Sequence, residues 1–168
     1  MMTCDERALE VGDAIRRARP SEAGILSDLG LRSKGHWGYD VDFLASCRDD
    51  LTLSPDDIET TAVYILDDGD GVSGYYRLLA QDDGVAELDA LFVEPGAIGR
   101  GVGKRLWQHA LGTARGLGCR EIVLQSDPHA EGFYLAMGAH RAGESESTVT
   151  PGRMLPLLRF QLHEDVLR

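Results

Sequence analysis

The sequence predicts a mixed α/β fold in which a central, mostly antiparallel twisted sheet of about six to seven strands is flanked by about four helices. Two observations predict it. Between residues 61 and 93, apolar and polar residues alternate with a period of two and are interrupted twice by turn residues. After residue 101 a helical period follows, and shorter strand and helix patterns complete the chain. A length of 168 residues favours one domain over 1–168.

The first sixty residues predict one short strand and two helices. The strand covers 14–18, and a first helix begins at Pro20, because proline suits the first turn of a helix. An irregular aromatic segment over 35–39 precedes a second helix from about Asp40. The residues expected on the buried faces of these helices are Ile25, Leu26, Leu29, Phe43, Leu44, Cys47 and Leu51.

The alternating region predicts an antiparallel meander, because short turns rich in Asp and Gly separate its strands. These strands cover 61–66, 72–80 and 85–93. The elements expected after them are a helix over 101–117, a strand over 121–126, a short helix from Pro128, and strands over about 140–145 and 153–162. The stripe expected to be buried on the long helix is Val102, Leu106, Ala110, Thr113 and Leu117.

Net charge excludes some partners. The formal charge is -11 and the isoelectric point is near 4.8. Such a chain is repelled by nucleic-acid phosphate and by anionic membrane surfaces, so neither is an expected partner. A cationic or amine-bearing substrate fits this field better, although acidity can also serve solubility alone.

Cysteine usage points to a cytoplasmic location. Cys4, Cys47 and Cys119 are scattered and form no CxxC pair, so we expect neither a disulfide framework nor a metal site. The five histidines also lack metal-ligand spacing. The first residues do not have the pattern of a signal peptide, and no stretch is apolar enough to span a membrane.

The segment over 92–106 carries the most information about function. Glycines recur at four positions in it, and Lys104 and Arg105 then begin the long helix. Backbone N–H groups at a glycine-rich helix N-terminus bind anions, most naturally a pyrophosphate. A P-loop is excluded because Arg105 follows Lys104, where that motif needs Ser or Thr. The dinucleotide pattern Gly-x-Gly-x-x-Gly also fails, from both Gly99 and Gly101.

This segment resembles motif A of the GNAT superfamily of acyl-CoA-dependent N-acyltransferases, whose pattern is Gln/Arg-x-x-Gly-x-Gly/Ala. Gly101-Val102-Gly103 matches its core, while Ile98 stands where the family usually has Gln or Arg. The segment over 127–139 resembles the family's stretch that ends in Tyr-x-x-x-Gly-Phe. The predicted element order also matches, so the resemblance covers most of the chain and implies acetyl-CoA as co-substrate.

The resemblance assigns cofactor contacts to the strand end, to the glycine loop and to the position after the next strand. Backbone groups of the strand would bind the pantetheine amides, and the loop would bind the pyrophosphate. Asp127 stands where many relatives carry an Asn, and Arg100 or Lys104 can take over the missing charge at Ile98. The implied cofactor-binding residues are Leu91, Phe92, Val93, Ile98, Gly99, Arg100, Gly101, Val102, Gly103, Lys104 and Asp127.

Three residues are candidates for catalysis. In the family, a tyrosine at the position of Tyr134 lies near the CoA sulfur, where it can protonate the departing thiolate. Alternatively, Tyr134 is an aromatic residue of the core. Glu87 and Asp89 share one face of a strand, and either can deprotonate an ammonium through a water or simply bind it. Glu87 also resembles the strand glutamate that histone acetyltransferases use as base. The alternative for both acids is a solvated strand face.

Trp37 and Tyr39 are candidates for the acceptor site, since aromatic rings flanked by acids can hold a cationic amine. Trp37 can instead pack under a loop.

The leading hypothesis is direct acetyl transfer from acetyl-CoA to a primary amine of a small molecule or a protein. The alternatives are a non-catalytic acyl-CoA sensor and a transferase for another acyl-CoA. The resemblance is also compatible with a homodimer.

Overall fold

The computed structural model describes residues 14–162. Its strands are β1 (Ala14–Arg17), β2 (Ala62–Asp67), β3 (Val72–Ala80), β4 (Val85–Val93), β5 (Glu121–Gln125), β6 (His140–Glu146) and β7 (Met154–Gln161). Its α-helices are α1 (Ala23–Gly35), α2 (Val41–Leu51), α3 (Pro55–Thr60), α4 (Val102–Gly116) and α5 (Glu131–Ala136). The strands form one sheet in the order β1-β2-β3-β4-β5-β7-β6, which confirms the predicted mixed α/β class.

Local turn chemistry fixes the meander. Asp68 donates its backbone N–H to Gly71 O at 3.2 Å, which closes the turn before β3. Gln81 donates to Val85 O at 2.9 Å before β4. Consecutive strands joined by such short turns run antiparallel. β4 and β5 are parallel, with Glu87 opposite Val123, and α4 supplies the crossover that a parallel pair requires.

The described residues divide into two compact units, and the first comprises 14–77 and 90–107. Its core contains residues from α1, α3, β2 and β3, together with one residue that follows β1 and one that lies between α2 and α3. These are Ala18, Ala23, Leu26, Leu29, Leu53, Ile58, Val63, Ile65 and Tyr75, with Val72, Ala90 and Phe92 packed against them. Burial of these side chains stabilises the unit by about 25 cal/mol per Å² of apolar surface. The glycine loop and the first turns of α4 also belong to this unit.

The second unit comprises 78–89 and 108–162. β5 pairs antiparallel with β7, and β7 pairs antiparallel with β6. The buried apolar residues of this unit include Leu78, Ala86, Leu88, Ala110, Ala114, Ile122, Leu124, Tyr134 and Leu158. Gly138 has φ +102°, and a Cβ there would lie 3.2 Å from the Phe160 ring, so this turn after α5 requires glycine.

Two predicted buried positions are wrong. Ile25 is 55% exposed, because α1 buries a stripe at 23, 26, 29, 30 and 33, and residue 25 points about 100° away from it. Leu117 is 53% exposed, because α4 ends at Gly116 and the chain turns at Gly118, which has φ +79°. The helical stripe therefore stops before Leu117.

Two helix predictions also change. α3 was not predicted, although Ser54 caps it: Ser54 Oγ accepts from Asp57 N at 3.0 Å, and an Asp57 carboxylate oxygen accepts from Ser54 N at 2.8 Å. The last short helix begins at Glu131 rather than Pro128. Residues 128–130 instead form a turn, in which Ala130 N donates to Asp127 O at 2.9 Å.

Some expectations fall outside the described range. Cys4 and the segment judged for a signal peptide lie outside residues 14–162. Cys47 and Cys119 are buried free thiols. Across residues 14–162, no helix has the length and apolarity of a membrane span. The same residues hold no cluster of His, Cys, Asp and Glu suited to a metal ion.

Candidate active site

Three interactions anchor the end of β4 within the first unit. Glu94 donates its backbone N–H to Ser73 O at 2.8 Å. Its carboxylate accepts from Arg32 Nε at 3.0 Å and from Arg32 Nη2 at 2.8 Å, a bidentate pair that lowers the pKa of Glu94. Ser73 Oγ in turn donates to Asp68 Oδ2 at 2.6 Å. The point where β4 passes into the glycine loop is therefore held by groups from two other elements.

The loop turns through two left-handed glycines before the helix begins. A short 3-10 turn over Pro95–Ala97 follows Glu94. Gly99 has φ +87° and Gly101 has φ +81°, a backbone conformation in which other residues are strained. The first α-helical hydrogen bond of α4 runs from Arg105 N to Gly101 O at 3.1 Å. The two glycines thus direct the helix N-terminus out of the loop.

The loop presents unused hydrogen-bond donors. Among residues 14–162, no acceptor lies within hydrogen-bond distance of five backbone N–H groups at this helix start. These belong to Gly99, Gly101, Val102, Gly103 and Lys104. Free N–H groups at a helix N-terminus carry a partial positive charge and suit a phosphate or pyrophosphate. A Cβ at Gly99 or Gly101 would meet no protein atom within 4 Å, so the space beside both residues is open.

Charged side chains add to the anion site. Arg100 in the loop and Lys104 in the first turn of α4 are both exposed. The Ser73 hydroxyl, the Asp70 amide and the nearby Arg100 charge lower the pKa of Asp68. Ile98 is apolar and 39% exposed.

A glycine inside β3 allows the close approach of β4. A Cβ at Gly74 would lie 2.8 Å from Phe92 O, 2.9 Å from Leu106 Cδ1 and 3.1 Å from Val102 Cγ1. Only glycine therefore fits between the end of β4 and the first turn of α4. This residue was not among the predicted site residues, although a lone glycine within a strand pattern indicates such an approach. Leu91, Phe92 and Val93 are half-buried beside it.

Burial of the side chains along the first part of β4 alternates as the sequence pattern predicts. Glu87 is half-buried and Asp89 is exposed, while Leu88 between them is buried. Ala90 and Phe92 pack against the core of the first unit. Glu87 and Asp89 therefore share one face of β4, and the buried Leu88 lies on the other face.

Asp127 lies just after β5 in the second unit. Its Oδ1 accepts from His129 N at 2.9 Å and lies 2.9 Å from His129 Nδ1. Ser126 before it is buried and donates its hydroxyl to Asp127 O at 2.8 Å. The Asp127 carboxylate therefore orients the His129 ring. Sequence reasoning had not singled out His129.

Tyr134 lies on α5 and is 6% exposed. The Phe133 ring packs on it with centroids 5.0 Å apart and an interplanar angle of 72°. Burial raises the pKa of the Tyr134 phenol. The phenol is therefore protonated at neutral pH.

The aromatic rings after α1 contact a lysine side chain of α1. Lys34 Nζ lies 5.6 Å from the centroid of the Tyr39 ring and 5.7 Å from that of Phe43. These two rings are 4.4 Å apart. Trp37 is 39% exposed and packs edge-on against His36 at 5.2 Å. Asp40, adjacent to Tyr39, caps α2 by accepting from Phe43 N at 2.7 Å.

The predicted site residues fall into both units. The first unit holds the strand end Leu91–Val93, the loop over 98–104 and the aromatic pair Trp37 and Tyr39. The second unit holds Glu87, Asp89, Asp127 and Tyr134.

A sequence profile described as the acetyltransferase (GNAT) family matches residues 33–139, which is more than half of the 168 residues. The matched region includes the aromatic segment, β4, the glycine loop and Tyr134. The chain therefore belongs to the GNAT family of acetyltransferases.

Individual relatives agree with this assignment. Over 73 residues, the chain is 42% identical to the peptidyl-lysine N-acetyltransferase YjaB of Salmonella typhimurium. That match covers 44% of this chain and 48% of YjaB, so the chain matches about half the length of this relative.

Two solved structures show the same fold. A GCN5-related N-acetyltransferase from Rhodopseudomonas palustris has a TM-score of 0.74 at 17% identity, covering 90% of this chain and 96% of that one. The structure of yncA from Salmonella typhimurium, with its cofactor acetyl-CoA, has a TM-score of 0.63 at 18% identity, covering 93% of this chain and 97% of that one.

Proposed function

We propose that this chain is an N-acetyltransferase that transfers the acetyl group of acetyl-CoA directly to a primary amine. The observation that carries this proposal is the group of five backbone N–H donors without a protein acceptor, at Gly99 and over 101–104. They stand at the start of a 15-residue helix, where Arg100, Lys104 and Arg105 add positive charge. In a chain of the GNAT family, the anion that fits these donors is the pyrophosphate of coenzyme A.

Other backbone groups would bind the rest of the cofactor. The register of β4 with β5 covers Val85–Glu87, so Leu91, Phe92 and Val93 lie beyond it. Their peptide groups are suited to the amides of pantetheine, and an N–H there can polarise the thioester carbonyl. Asp127 is a further cofactor contact, and its carboxylate is already held by His129.

The chemistry needs a base, a polarising donor and a donor to the leaving sulfur. Acetyl-CoA supplies an activated carbonyl and a good leaving group. Glu87 or Asp89, directly or through a water, removes the proton that the acceptor ammonium must lose. Tyr134, which stays protonated, donates its O–H toward the departing sulfur. Because the amine itself attacks the carbonyl, no acetylated enzyme intermediate is required, and the buried Cys119 is structural.

The acceptor that fits best is the ammonium of a lysine side chain or of another cationic amine. The net charge of -11 attracts cations, and Trp37 offers an exposed aromatic ring. A match to a relative named as a peptidyl-lysine N-acetyltransferase supports a lysine of a peptide or protein as the acceptor class.

Calorimetric titration with acetyl-CoA and with CoA tests the cofactor half of the proposal. We expect micromolar binding of both, followed by CoA release in the presence of lysine-containing peptides or small amines. Tight binding without turnover across a broad amine panel would favour the acyl-CoA sensor instead. Faster turnover with propionyl- or succinyl-CoA would identify that thioester as the preferred acyl donor. Absence of any binding would contradict the proposal.

A Glu87→Gln substitution tests the base. If Glu87 is the base, kcat/KM should fall by about 10²–10⁴ and the low-pH limb of the rate profile should flatten. The sign follows because the carboxylate accepts a proton only when it is ionised, so the wild-type rate rises with pH through the pKa of the base. The measurement is kcat/KM against pH with one fixed amine.

Asp89→Asn is the matched control, since it removes one negative charge from the same face of β4. A pH profile that flattens only in Asp89→Asn would assign the role of catalytic base to Asp89. Profiles that keep their low-pH limb in both variants would remove both acids from proton transfer.

A further inference from the structure

Glu94 connects the glycine loop to the rest of the first unit. It follows the last residue of β4, and its backbone is fixed on both sides. Its N–H donates to Ser73 O at 2.8 Å, and its carbonyl oxygen accepts from Ala97 N at 2.8 Å. The backbone of Glu94 is therefore held by β3 on one side and by the 3-10 turn on the other.

The same turn leads to the open donors of the loop. Ala97, which donates to Glu94 O, accepts in turn from Arg100 N at 3.3 Å. Gly99 and Gly101 flank Arg100, and their N–H groups belong to the five donors that find no acceptor among residues 14–162. Two hydrogen bonds in series thus connect Glu94 with the segment proposed to bind the pyrophosphate. A shift of Glu94 would displace that segment.

The side chain of Glu94 is held by α1. Arg32 Nε donates to Oε1 at 3.0 Å, and Arg32 Nη2 donates to Oε2 at 2.8 Å. Two parallel hydrogen bonds fix the direction of the carboxylate as well as its position, which a lysine ammonium does not do. A Cβ at Gly30 would lie 3.1 Å from Tyr75 Oη and 3.4 Å from Phe92 Cδ2, so α1 packs closely against β3 and the end of β4.

We propose that Arg32 is a positioning residue for the cofactor: by holding Glu94, it keeps the glycine loop in the conformation that binds coenzyme A. The inference rests on the proposed function, because that proposal supplies the ligand of the loop. Its physical basis is preorganisation. A loop whose donors are already in place loses less conformational entropy when the anion binds, and the difference lowers the Kd. Arg32 acts through Glu94 and not on the cofactor directly.

Replacement of Arg32 by methionine tests this inference. Methionine keeps an unbranched, helix-compatible side chain but donates no hydrogen bond. The Kd for CoA, measured by calorimetry, should rise about three- to tenfold, the size expected when one exposed but bidentate ion pair is lost. The KM for acetyl-CoA should rise as well, while kcat at saturating acetyl-CoA stays near the wild-type value. Arg32→Lys, which keeps the charge but not the two parallel hydrogen bonds, should restore only part of the affinity.

Arg16→Met is the matched control. Arg16 forms the same kind of bidentate pair with Glu22, with Nη1–Oε1 and Nη2–Oε2 distances of 2.9 Å. The members of this pair are less exposed than Arg32 and Glu94. Arg16 lies on β1, which β2 and β3 separate from β4 in the sheet. Arg16→Met should therefore lower thermal stability at least as much as Arg32→Met and leave the Kd for CoA unchanged.

Glu94→Ala provides the second test. A residue that acts through Glu94 loses its effect on the cofactor once that carboxylate is removed, so the two substitutions should not be additive. In the Glu94→Ala background, Arg32→Met should change the Kd for CoA by no more than about twofold. The comparison uses the two single variants, the double variant and the wild-type chain, each titrated with CoA.

Three results would overturn the inference. Wild-type affinity in Arg32→Met would show that the pair only stabilises the fold. An equal loss of affinity in Arg16→Met would show a general effect of stability. A full loss of affinity on adding Arg32→Met to Glu94→Ala would show that Arg32 attracts the cofactor directly. Each of these results leaves the proposed function intact, whereas failure of the wild-type chain to bind CoA would remove the proposed function and this inference together.

Discussion

Substitution of Gly101 by valine should strongly weaken the binding of CoA. Gly101 has φ +81°, and a β-branched residue is a steric outlier there, with a cost of about 1–2 kcal/mol. The loop must then either relax, which displaces the N–H groups that follow Gly101, or hold the valine side chain in the open space where an anion approaches. Losing two hydrogen bonds to a charged group, each about 1.5–3 kcal/mol, weakens binding by about a hundredfold or more. Calorimetric titration with CoA measures the loss.

Gly118→Val is the matched control for this prediction. Gly118 has φ +79° and open space around its Cα, so valine there meets the same backbone strain at the far end of α4. Both variants should lose similar thermal stability, and only Gly101→Val should lose CoA. Wild-type affinity in Gly101→Val, or an equal loss in both variants, would show that the loop does not hold the cofactor.

The sequence predicts most of the elements because their signals are local. Strands β3 and β4 have the bounds that the alternation and the Asp- and Gly-rich turns predict, since a hairpin is determined by a few adjacent residues. α3 has a capping box, but its six residues are too few to show a helical period. From the sequence, this helix therefore could not be distinguished from a loop. Exposure of Ile25 shows a second limit, because which face of α1 is buried depends on what packs against it.

The geometry of the candidate site was predictable where one stretch of chain carries the signal. The glycine loop is such a stretch, and its donors and left-handed glycines lie where the pattern places them. The pair of Arg32 and Glu94 is different, because 62 residues separate its members and no local pattern says that α1 meets the end of β4. The contact of Lys34 with the Tyr39 ring depends in the same way on how α1 and α2 pack.

Replacing Tyr134 with phenylalanine should lower kcat by about 10²–10⁴ while CoA affinity stays near the wild-type value. The substitution removes one oxygen from a ring that is 6% exposed, so the packing with Phe133 remains. What is lost is the O–H donor proposed to stabilise charge on the departing sulfur. A donor used mainly during bond breaking affects kcat, whereas a contact to the bound cofactor would affect its Kd. Steady-state kinetics and CoA calorimetry on the same preparation separate the two.

Tyr76→Phe is the matched control, since it removes the same oxygen from another fully buried ring that stacks on Tyr64 at 5.5 Å. It should change thermal stability and leave kcat close to wild type. Because burial raises the pKa of Tyr134, its ionisation should place no limb on the rate profile in the pH range where the protein is folded. An unchanged kcat in Tyr134→Phe would make Tyr134 an aromatic residue of the core. A high-pH limb that disappears in the same variant would show instead that the phenol ionises, and that it acts by giving up its proton.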